Sequence, residues 1–222
     1  FARVSFKIGS PLPINLKTIM TNLEKKELFK DITAVILAGG KSSRFGSNKA
    51  LAKFKGVRLI ERATGVLSTI FTKMIIITNS PIEYSYLNIP LYQDIIEGLG
   101  PIGGIYTGLD AIDNDWAFFC ACDMPFINED LVKYIIEVKN GYDAVVPKVD
   151  WKMEPLHALY SKKCLPFIKK LILEEEYQTV KSFKNINVKF VEEDEIKQFD
   201  PHLRAFLNVN KQDELDKITN ME

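Results

Sequence analysis

The sequence predicts an α/β fold of three layers, α/β/α, on a mostly parallel sheet. Short apolar runs of strand length, ITAVILA, MIIITN, WAFFCAC and DAVVPKV, alternate with segments of helical spacing. That alternation is the signature of a parallel sheet covered by helices on both faces. A length of 222 residues with 46% hydrophobic content supplies one substantial core and is short for two.

Residues 1–31 lack a sustained period, carry Pro11 and Pro13, and run into the charged patch NLEKKELFKD, so they read as an N-terminal tail. Met20 is a candidate start, with the residues before it a cloning-derived or upstream-frame remnant. From residue 32 to 222 one domain is expected. ITAVILA is its first strand, VRLIERATGVLSTI a helix, MIIITN a second strand, and GPIGGIYTGLDAI a helix opened by glycines. WAFFCAC follows as a strand ended by Pro125, and INEDLVKYIIEVKN as a helix with Asn128 as its cap and acids in its first turn. DAVVPKV, short HALYS, the helix CLPFIKKLILEEE, the strand NVKFVEE and a capped helix after FLNVN complete the domain.

Composition excludes several classes of function. Twenty-nine basic residues balance twenty-nine acidic ones, so no broad field for nucleic acid or anionic membrane is expected and any anion must be captured locally. No apolar run approaches the roughly 20 residues that span a bilayer, and no block of signal-peptide length is present, which makes the cytoplasm the expected compartment. Cys120, Cys122 and Cys164 are an odd set without metal-site spacing and read as packing residues.

Loops at strand ends are the positions where open α/β sheets bind ligands. After ITAVILA, Gly39 and Gly40 permit a sharp turn and close approach, and Lys41, Arg44 and Lys49 follow with Ser42 and Ser43 between them. Backbone N–H groups and mobile cations of this kind grip polyphosphate. The spacing is neither GxxxxGK[ST] nor GxGxxG. Asp123, after WAFFCAC, suits a magnesium ion that keeps most of its waters and bridges to phosphates; a turn or cap is the alternative. DIIEGLGPIGGIYTGL combines Asp94 with Gly98, Gly100, Gly103, Gly104 and Gly108, which suits a flat base against backbone or, alternatively, tight helix packing. Asn208 and Asn210 in FLNVN share a face if extended; on the residues alone they read as turn and helix cap more than as a ligand site. His157, in an apolar stretch, reads as a core histidine rather than a substrate contact.

LAGGKSSRFGSNKALAKFKG resembles the nucleotide-binding signature of the molybdenum cofactor guanylyltransferases, the MobA-type branch of the nucleotidyltransferases, close to LAGGxSxRMGxDKALLxxxG. CDMPF, GPIGGI, EPLHALY and FLNVN resemble further family segments, so the likeness runs from about Ile32 to Leu215. Two departures stand out, Phe45 for the usual Met and Asn48 for the usual Asp; the second removes a charge beside Lys49. The resemblance implies a Rossmann-like, nucleotide-diphospho-sugar-transferase-like sheet, with an N-terminal nucleotide half and a C-terminal molybdopterin half. It implies GMP transfer from GTP to the molybdopterin cofactor, with Mg2+ or its substitute Mn2+. Lys49 would serve the α-phosphate, Arg44 the β- and γ-phosphates, and Asp123 the metal. Leu37, Ala38, Gly39 and Gly40 would cradle the nucleotide. Asp94, Gly103 and Gly104 would contact the nucleoside, and Asn208 and Asn210 the pterin. Cofactor-delivering proteins and molybdoenzymes are the implied protein partners. The rivals are a transferase using CTP for the cofactor or an NTP for a sugar phosphate, and a non-catalytic nucleotide-binding module. Ala121, two residues before Asp123, argues against the Asp-x-Asp of a glycosyltransferase.

Overall fold

The computed structural model describes residues 28–39 and 48–209. Gly40, Arg44, Asn210, residues 1–27 of the expected tail and the helix expected after FLNVN lie outside the described residues. Within them the strands are β1 (Phe29–Leu37), β2 (Lys53–Phe54), β3 (Val57–Arg58), β4 (Phe71–Ile77), β5 (Leu91–Tyr92), β6 (Trp116–Ala121), β7 (Ala144–Val149), β8 (Lys152–Met153), β9 (His157–Ser161) and β10 (Val188–Val191). The helices are α1 (Leu59–Leu67), α2 (Pro101–Ala111), α3 (Glu129–Glu137), α4 (Leu165–Leu173) and the short α5 (Glu193–Ile196).

The main sheet runs β10-β7-β9-β6-β1-β4-β5, with β8 paired to β7. Its pairs are parallel except where β9 inserts antiparallel between β6 and β7 and where β8 folds back on β7. Alternate residues of each central strand enter opposite cores. Ala34, Ile36, Phe118 and Cys120 join Ile60 and Leu67 of α1 and Leu131 and Ile135 of α3 on one face. Val35, Ala117 and Phe119 join Ile105 and Leu109 of α2 and Ile168 of α4 on the other. Burial on both faces is why these strands are apolar without interruption.

Three expectations change in detail. β1 starts at Phe29, ahead of residue 32, because the Phe29 N–H bonds to Ile70 O (2.8 Å) and its ring packs 6.2 Å from Phe71. VRLIERATGVLSTI is not all helix: Lys55 (φ 50°) and Gly56 (φ 82°) form a left-handed two-residue turn that pairs β3 with β2, so α1 begins only at Leu59. β6 ends at Ala121 rather than near Pro125, which leaves Asp123 in a turn beyond the last pleat. The Asn128 cap forms as expected, its Oδ1 accepting from Leu131 N (2.9 Å).

The chain adds β4 and β5 on one side of β1, then returns to place β6 on the other. The crevice between the carboxyl ends of β1 and β6 is therefore the topological switch point, where such sheets bind ligands.

Candidate active site

The short helical turn Lys49–Leu51 carries Lys49, the last of the loop's three cations, back to that crevice. Asn48 caps it, its side chain accepting from Ala50 N (3.1 Å). The Lys49 ammonium lies 2.5 Å from Asp123 Oδ2, joining residues 74 apart in sequence. Both side chains are largely shielded, 16% and 22% exposed, so the pair is stronger than a surface ion pair. Asp123 Oδ1 is buried and has no hydrogen-bond partner. A buried anionic oxygen with a free lone pair fits a divalent cation that takes its other ligands from water and phosphate. Among the described residues no group of three or more His, Cys, Asp or Glu could hold a metal by itself.

The end of β1 is tied into the sheet on both sides. Ala38 N–H donates to Ile77 O (2.9 Å), and Leu37 O accepts from Cys122 N (3.1 Å). Gly39, exposed, with open space where a Cβ would stand, is the described part of the expected cradle that a ligand can approach.

A second polar cluster stands at the ends of β4 and β5. Asn79 Nδ2 donates to Asp94 Oδ2 (2.9 Å), and Asp94 N–H donates to Asn79 Oδ1 (3.0 Å). Asp94 Oδ1 is buried without a partner, and burial raises its carboxyl above the usual range, opposed by the Asn79 hydrogen bond. Such an acceptor is satisfied by a ligand that brings N–H groups. Sequence reasoning misses Asn79; its only signal is its place as the polar last residue of the run MIIITN.

The glycines of α2 serve packing. A Cβ on Gly103 would meet Leu99 at 3.0 Å, one on Gly104 would meet Leu37 at 3.1 Å, and one on Gly108 would meet Phe119 at 2.7 Å. The expectation that Gly103 and Gly104 touch the nucleoside gains nothing from this geometry. Gly98 and Gly100, at φ 84° and 67°, shape the turn into the helix.

On the far side of the crevice, Val209 N–H donates to Asp123 O (3.2 Å), which draws the FLNVN segment against the Asp123 turn. Val209 is buried with Phe54 and Leu59, and the preceding Asn208 is exposed. His157 supports this segment from below, its ring 5.2 Å from Phe118 and 5.3 Å from Phe206. It is fully buried, neither nitrogen has a hydrogen-bond partner, and burial lowers its pKa to about 4 against a raising effect of Asp200. It is a packed core histidine, as expected. The three cysteines are free and buried, and burial pushes the Cys122 thiol up to about 12, so it packs as a thiol.

The MobA-like NTP transferase domain model matches residues 34–186, which include the carboxyl-terminal part of β1, Lys49, Asp94 and Asp123. A probable molybdenum cofactor guanylyltransferase of Clostridium perfringens is 36% identical over 189 residues, covering 84% of this chain and 95% of its own length. The molybdenum cofactor guanylyltransferase of Desulfosudis oleivorans is 34% identical, covering 84% of this chain and 93% of its own. Among solved structures, the molybdopterin-guanine dinucleotide biosynthesis protein A of Archaeoglobus fulgidus superposes with a TM-score of 0.74 at 25% identity, over 85% of this chain and 97% of that one. On its sheet order, its matched residues and these relatives, the chain belongs to the MobA-like NTP transferase family.

Proposed function

We propose that this chain transfers GMP from GTP to the molybdopterin form of the molybdenum cofactor, releasing pyrophosphate. The observation that carries the reading is the Lys49–Asp123 contact at 2.5 Å, beside which the FLNVN segment is hydrogen-bonded to the Asp123 carbonyl. On this reading the acceptor and nucleotide halves of the crevice meet at Asp123, through its backbone carbonyl on one side and its carboxylate on the other.

A terminal phosphate oxygen of molybdopterin forms the new P–O bond to the α-phosphorus, and the bond to the bridging α–β oxygen breaks with its electron pair leaving on pyrophosphate. The nucleophile is already anionic, so positioning and charge neutralisation are the catalytic demands. Lys49 steadies charge gathering on the α-phosphate, Gly39 lets the triphosphate approach the end of β1, and Arg44 serves the β- and γ-phosphates. Asp123 would hold Mg2+, which supplies Lewis-acid neutralisation of the phosphates when bound. Asp94, held by Asn79, accepts from the N1 and N2 hydrogens of guanine. Asn208 offers an amide to the pterin, and the same role is assigned to Asn210. We place the reaction in the cytoplasm.

Pyrophosphate release from GTP, CTP and ATP, each with Mg2+ and molybdopterin, tests this. Release with GTP alone is expected. Preference for CTP would move the chain to the cytidylyl branch, and no release with any nucleotide would make it a binding module.

A further inference from the structure

The family signature has Asp where this chain has Asn48, immediately before Lys49. We propose that Asn48, held by Tyr84, is a positioning residue that sets Lys49 against Asp123, and that Glu83 makes an amide necessary at this position. The inference rests on the role given to Lys49 above.

The hydrogen bonds around the Asn48 amide leave little choice of residue. Its Oδ1 accepts from Ala50 N (3.1 Å), which fixes the turn that begins with Lys49. Its Nδ2 donates to Glu83 Oε2 and to Tyr84 Oη, 2.8 Å away. Tyr84 is fully buried, and its hydroxyl lies 3.0 Å from Asn48 Oδ1 and 3.5 Å from the carbonyl oxygen of Ala38. One phenol thereby joins the end of β1 to the residue that orients the catalytic cation, and burial keeps it protonated as a donor. An Asp at 48 could still cap Ala50, but it has no hydrogen for Glu83 and would face it carboxylate to carboxylate. The lysine side chain has many rotamers, so the placement of its Cα governs how often its ammonium reaches the crevice.

A double-mutant cycle separates positioning from general support. In the wild-type background Asn48→Ala should lower kcat about tenfold, the order expected when a catalytic group is displaced by a fraction of an ångström. In a Lys49→Ala background the same change should cost less than about twofold, because the group being positioned is gone. Tyr84→Phe, which keeps the ring, should follow the same pattern if Asn48→Ala does not fold. An equal factor in both backgrounds, or no loss in the first, overturns the proposal. Asn48→Asp should cost about as much as Asn48→Ala, and adding Glu83→Gln should restore most of it; an Asn48→Asp enzyme as fast as wild type refutes the need for an amide. Absence of GMP transfer by the wild-type protein would sink the proposed function instead, and the same cycle is then read in GTP affinity by titration calorimetry, with the same factors deciding it.

Discussion

At the scale of single residues, the site turns on how Asp123 divides its two oxygens, Oδ2 to Lys49 and Oδ1 to no protein partner. Asp123→Ala removes the proposed metal anchor and the counter-charge of a shielded ammonium together. GMP transfer at saturating GTP should fall by at least about 10²-fold, the scale of losing a preorganised electrostatic group in a water-poor site. Thermal melting should show that the variant is still folded, because the side chain is not in either core cluster. Near-wild-type turnover would strip Asp123 of the role given to it. Both members of the pair were legible in the sequence, one in a glycine loop and one at a strand end. Their contact was not, since 74 residues separate them. The Asn48 departure pointed to a lost charge beside Lys49. The structure gives a different account: the lysine pairs with Asp123, and the amide answers to Glu83 and Tyr84.

At the scale of elements, strands covered on both faces announce themselves by unbroken apolar runs, and α3 by its Asn128 cap and first-turn acids. The β2–β3 hairpin was hidden because two-residue strands have no period to read, and only Lys55-Gly56 hints at the turn. The glycines of α2 divided two readings, base contact or close packing, that sequence cannot separate. At Gly108 the geometry decides for packing: a Cβ would stand 2.7 Å from Phe119 and 2.8 Å from Val35, both held in the core between α2 and the sheet. Gly108→Ala should therefore destabilise the protein by about 1–2 kcal/mol, overpacking outweighing the roughly 1 kcal/mol that alanine gains in a helix. KM for GTP should not change. Chemical denaturation beside steady-state kinetics checks both halves, and a variant more stable than wild type would mean that α2 can lift off the sheet without cost.

At the scale of the whole molecule, a chain with no net charge must capture its anions by local geometry, and the sheet order does this by opening a crevice between β1 and β6. That order was not legible, because a fully buried five-residue run such as HALYS reads the same whether it pairs parallel or antiparallel. Its antiparallel insertion puts His157 at the same rim as the Asp123 turn, against Phe206 of the segment that meets Asp123. The burial that makes His157 a support also makes the fold sensitive to acid. Its pKa falls from 6.5 to about 4 on folding, so the unfolded chain binds a proton between those values that the native chain refuses. The stability that follows is fully present above pH 6.5 and is lost as pH falls towards 4. It totals about 3 kcal/mol, since each tenfold difference in proton affinity between the two states is worth about 1.4 kcal/mol. Urea unfolding of wild type and His157→Leu at pH 7, 5.5 and 4.5 isolates this contribution from the carboxylates that titrate in the same window. The variant's stability should fall less steeply as pH drops; parallel curves would mean that His157 takes up its proton without disturbing the native packing.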